Sequence, residues 1–142
     1  LQLRTMQGPG AHGHVGYYPL QSFKLYWTAR ELTNDHRTAS LGWPVVCEVG
    51  FNAGYSAVTF LLTHPTCRVV SFDIGEHAAS FVAKSWIDEE FPDRHQFVIG
   101  DSRMTLMAWQ ARCDLFFIGY TSIQSGLFAL KSGTSFVVTG RF

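Results

Sequence analysis

The stretch of sequence that decides the fold is Val45-Val46-Cys47-Glu48-Val49-Gly50-Phe51-Asn52-Ala53-Gly54-Tyr55-Ser56. Its first five residues are mostly β-branched, which predicts a strand covered on both faces. Gly50 and Gly54 then bracket a short loop, where glycine permits unusual backbone angles and close approach of a ligand to the main chain. Because Glu48 stands at the end of the strand, the stretch indicates a site for a nucleotide-like cofactor.

Strands and helices alternate after this stretch. Asn52 or Ser56 could cap the first of these helices. A leading helix is expected at 20–32. Strands are predicted at 45–49, 68–73, 96–101, 114–118 and 135–139, and helices at 56–63, 77–90, 103–110 and 122–130. This alternation implies right-handed crossovers and a mostly parallel sheet. We therefore expect a Rossmann-like, doubly wound α/β sandwich with strand order 3-2-1-4-5, and a ligand at the carboxyl ends of the strands.

Length and charge bound the organisation and the partners of the chain. The 142 residues divide into an N-terminal loop and leading helix (1–42) and one cofactor-binding domain (43–142). Eleven basic and eleven acidic side chains cancel, so no net field would attract nucleic acid or an anionic membrane. No apolar run reaches the roughly 18 residues of a membrane span. We expect neither nucleic acid nor a membrane as partner.

The chain has three cysteines, Cys47, Cys67 and Cys113, and each lies in or beside an apolar run. An odd number of cysteines in such settings favours reduced core residues and a cytoplasmic location. No two of them have the spacing of zinc ligands, so no metal site is predicted.

Three carboxylates stand at the predicted strand ends, namely Glu48, Asp73 and Asp101. Parallel strands end at one edge, so these side chains should line one rim. Asp73 follows the glycine loop by about 20 residues, which fits a hydrogen bond to ribose hydroxyls, although it could also be a turn residue. Asp101 is either a helix cap or an acceptor for a base amino group. Glu48 is nearly inside its strand and needs backbone amides or a cationic ligand group as partner.

Four motifs carry a family resemblance, in the order of the strands: Glu48-Val49-Gly50-Phe51-Asn52-Ala53-Gly54-Tyr55-Ser56, Ser71-Phe72-Asp73-Ile74, Ile99-Gly100-Asp101-Ser102 and Asp114-Leu115-Phe116-Phe117-Ile118. Together they resemble class I S-adenosylmethionine-dependent methyltransferases, and among these the small-molecule O-methyltransferase-like group. The resemblance covers residues 43 to 118 and extends loosely to the fifth strand.

The resemblance implies S-adenosylmethionine as cofactor and a small-molecule oxygen or nitrogen acceptor. The Gly50–Gly54 turn would pass under the methionine part, and Glu48 would hold the ammonium end. Asp73 would bind the ribose, and Asp101 the adenine amino group. Ile74 and Met104 would contact the adenine ring. The implied cofactor-binding set is Glu48, Gly50, Phe51, Asn52, Gly54, Ser56, Asp73, Ile74, Asp101 and Ser102.

The chain also departs from the pattern of the family. Metal-dependent relatives end the fourth strand in an aspartate, where this chain has Ile118-Gly119-Tyr120. No catalytic base is identified, since His77 and Tyr120 both have ordinary structural interpretations. The family fold has seven strands, so we expect the terminal hairpin to be missing and the strand at 135–139 to be an exposed edge that could pair with a second copy.

Two other functions remain open at this stage. One is a truncated, inactive relative that serves as a binding or scaffold domain. The other is a dinucleotide-binding oxidoreductase domain, although its Gly-x-Gly-x-x-Gly fingerprint is not present in this loop.

Overall fold

A computed structural model describes residues 19–33, 44–119 and 136–139 of the chain. Its strands are β1 (Val45–Val49), β2 (Arg68–Asp73), β3 (His95–Ile99), β4 (Leu115–Ile118) and β5 (Phe136–Thr139). Its helices are α1 (Pro19–Thr33), α2 (Tyr55–Leu61), α3 (Ala78–Glu90) and α4 (Ser102–Ala108). These bounds lie within two residues of the predicted ones, and the helix predicted at 122–130 lies outside the described residues.

The five strands form one sheet in the order β3-β2-β1-β4-β5, as predicted. Every neighbouring pair in it is parallel. The strand order reverses at β1, whose two neighbours are β2 and β4. The carboxyl end of β1, where the glycine loop begins, is therefore the point at which a doubly wound sheet offers a crevice for a ligand.

Apolar side chains cover both faces of the sheet. On one face, Phe51, Phe60, Ile87 and Phe117 belong to a buried cluster that also includes Leu25 of α1. On the other face, a smaller cluster includes Cys47, Val49, Phe72 and Phe116, and Leu106 and Trp109 pack against it. Burial on both faces explains why β1 and β2 are almost continuously apolar in sequence.

The start of α2 differs from the prediction. Gly54, with φ 75°, is the residue before the helix, and no side chain caps the helix there. The expectation that Asn52 or Ser56 caps α2 is therefore wrong. The hydroxyl of Ser56 instead donates to Glu48 Oε2 at 2.5 Å.

The cysteines also differ from the prediction. Cys47 in β1 and Cys113 just before β4 form a disulfide, with their Cα atoms 5.6 Å apart. Cys67 is free and buried, as expected. The prediction of three reduced thiols is wrong because β1 and β4 are neighbours in the sheet, whereas the two cysteines are 66 residues apart in sequence. The cytoplasmic location inferred from those thiols loses that support.

Helix length and hydropathy bear on membranes. Within residues 19–33, 44–119 and 136–139, no helix is both long enough and apolar enough to cross a bilayer.

Candidate functional site

The loop between β1 and α2 is held in an unusual backbone conformation. Gly50, Asn52 and Gly54 all have positive φ angles, of 92°, 48° and 75°. A Cβ atom on Gly54 would lie 3.1 Å from both Ile87 Cδ1 and the Phe51 ring. Glycine is needed at position 54 for two reasons, namely the left-handed angle and the lack of space.

Asp73 at the end of β2 holds this loop in place by hydrogen bonds. Its Oδ2 accepts hydrogen bonds from the amides of Phe51 and Asn52, at 2.8 and 3.0 Å. Its Oδ1 accepts one from the amide of Gly75 at 2.9 Å, which is the turn role that the sequence left open as an alternative to ribose binding. An ionised carboxylate has about four acceptor positions, so these three bonds leave room for a further donor.

Glu48 is completely buried, and both of its oxygens accept hydrogen bonds. Ser56 Oγ donates to Oε2 at 2.5 Å, and Ser71 Oγ donates to Oε1 at 2.6 Å. Burial raises the pKa of Glu48 from 4.5 to about 7, although the two serine hydrogen bonds oppose this and the charge of Asp73 adds to it. Among the described residues, two hydroxyls therefore take the place of the backbone amides that were expected as partners of Glu48.

His95 extends this buried group of polar side chains. Its Nε2 lies 2.8 Å from Ser71 Oγ, and its ring stacks on Phe51 with centroids 5.0 Å apart. Burial lowers the pKa of His95 from 6.5 to about 4, helped by the charge of Lys84 and opposed by that of Asp88. The imidazole is therefore neutral near pH 7.

Sequence reasoning missed Ser71 and His95. The available signal was a serine within the apolar strand 68–73 and a histidine beside the apolar run Phe97-Val98-Ile99. Nothing in the sequence alone shows that both face Glu48, because this depends on the register Glu48–Ser71 between β1 and β2.

Asp101 caps α4, which is one of the two roles left open for it. Its side chain accepts a hydrogen bond from the amide of Arg103 at 2.9 Å. The hydrogen bond from the guanidinium of Arg103 is the main cause that lowers the pKa of Asp101 to about 2. The Gly100 amide donates to the Asp73 carbonyl at 2.8 Å, so the ends of β2 and β3 lie side by side. Ser102, the first residue of α4, lies at this same edge.

Apolar side chains flank the two aspartates. Ile74 directly follows Asp73 and Met104 lies on α4, and both are exposed. A Cβ atom on Gly75 would lie 3.0 Å from Ile99 Cγ2, so this part of the edge is packed closely. The edge therefore combines carboxylates with exposed apolar groups.

The carboxyl end of β4 has no acidic residue. The chain continues there as Ile118-Gly119, and the Gly119 amide donates to the Val49 carbonyl at 2.9 Å. Tyr120 lies outside the described residues, and His77 is exposed at the start of α3 without a side-chain cap bond. Across the described ranges, no group of three His, Cys, Asp or Glu side chains is placed to hold a metal ion.

Comparisons to known proteins support the family and the fold. A family model described as "Methyltransferase domain" matches residues 47–124, more than half of the chain. The chain therefore belongs to this family of methyltransferase domains, which confirms the resemblance to class I methyltransferases. No curated protein matched the chain.

Solved structures show the same fold. The methyltransferase PaMTH1 of Podospora anserina, bound to S-adenosylhomocysteine, superposes with a TM-score of 0.63 and 20% identity over 84% of this chain and 47% of its own. The O-methyltransferase TomG of Streptomyces achromogenes, in complex with S-adenosylmethionine, gives a TM-score of 0.59 and 19% identity over 82% and 49%. The chain spans about half the length of these relatives.

Proposed function

We propose that this domain binds S-adenosylmethionine at the β1–α2 loop and transfers its methyl group to an oxygen or nitrogen of a small molecule. The observation that carries the proposal is the bonding of Asp73 to the left-handed glycine loop. This bonding places a carboxylate with a remaining acceptor position beside the glycine loop at the switch point of the sheet.

Each residue at the edge then has a role in holding the cofactor. Asp73 accepts a ribose hydroxyl at its remaining acceptor position while it keeps its bonds to the loop. The turn from Gly50 to Gly54 passes under the methionine part. Asp101 and Ser102 meet the adenine amino group, and Ile74 packs against the adenine ring.

The charges at this edge support the choice of cofactor. Asp73 and Asp101 are acidic, and the ligand carries a sulfonium and an ammonium. Opposite charges within a few ångströms attract, and the loop lacks the Gly-x-Gly-x-x-Gly pattern by which the pyrophosphate of a dinucleotide approaches the main chain. The edge is therefore better suited to S-adenosylmethionine than to NAD.

The bound cofactor supplies an electrophilic methyl group that an acceptor lone pair can displace, with a thioether as leaving group. This step requires mainly that the acceptor be held in line with the methyl group. The chain contributes by fixing the loop and by excluding water at the buried side of the site, where Phe51 is fully packed.

A second candidate function is a binding domain without catalysis. The observation that favours it is the Ile118-Gly119 end of β4, where metal-dependent relatives have an acidic residue. Binding of the cofactor product without turnover of any acceptor is the behaviour expected from such a domain.

The test is calorimetric titration with S-adenosylhomocysteine, which shares the adenosine and amino-acid parts but cannot react. We expect micromolar binding by the wild-type chain and at least a tenfold loss in Asp73→Asn, since the amide keeps an acceptor for the loop but lacks the charge. Glu89→Gln, which removes an exposed carboxylate on α3, is the matched control and should bind as the wild type does.

Two results would contradict the proposal. A folded wild-type chain that does not bind S-adenosylhomocysteine has no cofactor site. Equal affinity in Asp73→Asn and Glu89→Gln would show that Asp73 does not contact the ribose. Binding of NAD in the parallel titration would favour the dinucleotide alternative instead.

A further inference from the structure

Four polar side chains form a continuous, buried hydrogen-bond network behind the loop. Ser56 and Ser71 bond the two oxygens of Glu48, and His95 bonds Ser71. All four are less than one-tenth exposed. The other imidazole nitrogen of His95, Nδ1, is buried and has no hydrogen-bond partner within the described part of the chain.

We propose that Ser71 and His95 are positioning residues of the cofactor site, which keep Glu48 ionised and directed at Ser56 on the first turn of α2. The inference rests on the proposed function, because the site that they position is the one assigned to S-adenosylmethionine. It adds two residues to the site and makes cofactor binding depend on the protonation of Glu48. The proposed function itself requires neither.

The hydrogen bonds permit two arrangements of the protons. With Glu48 ionised, both serine hydroxyls donate to it, so Ser71 Oγ must accept from His95 Nε2–H, and Nδ1 carries no proton. With Glu48 protonated, its own proton can go to Ser71, which then donates to an unprotonated Nε2 and leaves the proton of His95 on Nδ1. An Nδ1–H tautomer of His95 therefore requires a Glu48 that is protonated on the oxygen facing Ser71.

The unpartnered Nδ1 distinguishes between the two arrangements. An N–H group buried without an acceptor is costly, whereas an unprotonated nitrogen without a donor loses less. The surroundings of Nδ1 thus favour the Nε2–H tautomer and, through Ser71, ionised Glu48. Replacing His95 by a ring that cannot donate would remove this preference.

Charged side chains near this network affect the pKa values of Glu48 and His95 more weakly than burial does. Asp73 on β2 disfavours the ionised form of Glu48, whereas Lys84 and Asp88 on α3 act in opposite directions on His95. Since burial raises the pKa of Glu48 to about 7, small contributions from Ser71 and His95 change its charge near neutral pH.

The four hydrogen-bonded side chains are connected to the cofactor site by their position beside the glycine loop and by a ring contact. Glu48 lies two residues before Gly50, and Ser56 lies two residues after Gly54. The ring of His95 also stacks on Phe51, whose amide is bonded to Asp73. An ionised Glu48 holds α2 through Ser56 and adds negative charge behind the position assigned to the ligand ammonium.

The first experiment follows the tautomer of His95 by ¹⁵N NMR of the full chain between pH 5.5 and 8.5. The His95 resonances are assigned by their loss in His95→Phe. We expect the Nε2–H form above pH 7 and a shift toward the Nδ1–H form below it. An Nδ1–H tautomer that persists at pH 8.5, where Glu48 should be ionised, would overturn the proposal, whether or not the chain binds a cofactor.

The second experiment measures affinity for S-adenosylhomocysteine over the same pH range. In the wild type we expect affinity to fall at least threefold as the pH drops through about 7. In Ser71→Ala the midpoint should move up by about one pH unit, because a hydrogen bond that favours the carboxylate is lost. His95→Phe keeps the stacking on Phe51 and should move the midpoint in the same direction.

Ser80→Ala is the control for a purely structural effect. Ser80 is also completely buried, and its hydroxyl has no hydrogen-bond partner among the described residues. This variant should keep the wild-type midpoint. Equal midpoints in wild type and Ser71→Ala, with affinity lowered equally at all pH values, would overturn the positioning role. A tautomer shift in a chain that binds no S-adenosylhomocysteine would instead contradict the proposed function and the link to it.

Discussion

At the scale of single residues, Glu48 shows how a fold accommodates a buried carboxylate. It has no basic partner among the described residues, and two serine hydroxyls satisfy its oxygens. Hydroxyl donors offset only part of the desolvation of a charge, so the ionised form remains destabilised. A group in this state changes its charge near neutral pH, where a surface glutamate would not.

Glu48→Gln should alter how stability depends on pH. Because the pKa of Glu48 is raised from 4.5 to about 7 on folding, its contribution to stability is fully present below about pH 4.5 and is lost as the pH rises through 7. Gln cannot ionise. The free energy of unfolding of the variant, relative to that of the wild type, should therefore rise by a few kcal/mol from pH 5 to pH 8. The basis is about 1.4 kcal/mol for each pH unit by which folding displaces a pKa.

Urea denaturation of both proteins at pH 5 and pH 8 measures this difference. His95 is present in both proteins. Its lowered pKa gives stability that is present above pH 6.5 and lost as the pH falls through about 4, and this contribution largely cancels in the comparison. Parallel stability curves for wild type and Glu48→Gln would show that Glu48 does not ionise at the expected pH.

At the scale of elements, the β1–loop–α2 unit owes its shape to a few backbone positions. Gly54 occupies the residue before α2 in a left-handed conformation, with Ile87, Phe51 and Ala83 closely packed around it. The loop is therefore fixed from two directions, by Asp73 at its amides and by the side chains of α3 beneath Gly54.

Gly54→Ala should destabilise the domain. A left-handed angle costs a non-glycine residue about 1–2 kcal/mol, and the new methyl group would lie 3.1–3.2 Å from three side-chain atoms. We expect a loss of about 2 kcal/mol or more in the free energy of unfolding, measured by chemical denaturation. Weaker binding of S-adenosylhomocysteine should accompany it.

Asp93→Gly is the matched control for the backbone angle. Asp93 also has a positive φ, of 58°, but lies exposed in the turn before β3. Its replacement by glycine relieves the angle at an open position, so stability should change by less than about 1 kcal/mol. If Gly54→Ala changed the free energy of unfolding no more than Asp93→Gly does, the side chains around position 54 would not be closely packed.

At the scale of the whole molecule, one covalent link joins two neighbouring strands of the sheet that are distant in sequence. The Cys47–Cys113 disulfide connects the central strand β1 to the segment that enters β4. Cys47 is fully buried in the smaller apolar cluster, and Cys113 is partly buried against it.

Alkylation under denaturing conditions without reductant should label only one thiol, that of Cys67. Adding a reductant before alkylation should raise the count to the full three. Closing a loop with a sequence separation of 66 residues constrains the unfolded chain, so Cys113→Ala should lose about 4 kcal/mol of stability.

Dithiothreitol provides an internal control for this prediction. It should lower the midpoint of thermal unfolding of the wild type and leave that of Cys113→Ala unchanged, because the variant has no bond to reduce. Labelling of all three thiols without reductant would show that the disulfide does not form.

Much of this fold could be predicted from sequence because its signals are local. Runs of β-branched residues indicated strands with the right bounds, and the alternation with helices indicated parallel pairing. The glycine loop and the acids at the ends of β2 and β3 were visible for the same reason. Their meeting at one edge follows from parallel geometry alone.

The sequence by itself thus determined the order of the elements, the strand order and which residues stand at the carboxyl edge. Only the tertiary structure decided the partners of the buried groups: Ser56 and Ser71 for Glu48, His95 for Ser71, and Cys113 for Cys47. These pairings depend on the register and packing of strands that are far apart in the chain, and a local sequence pattern carries no information about such distances.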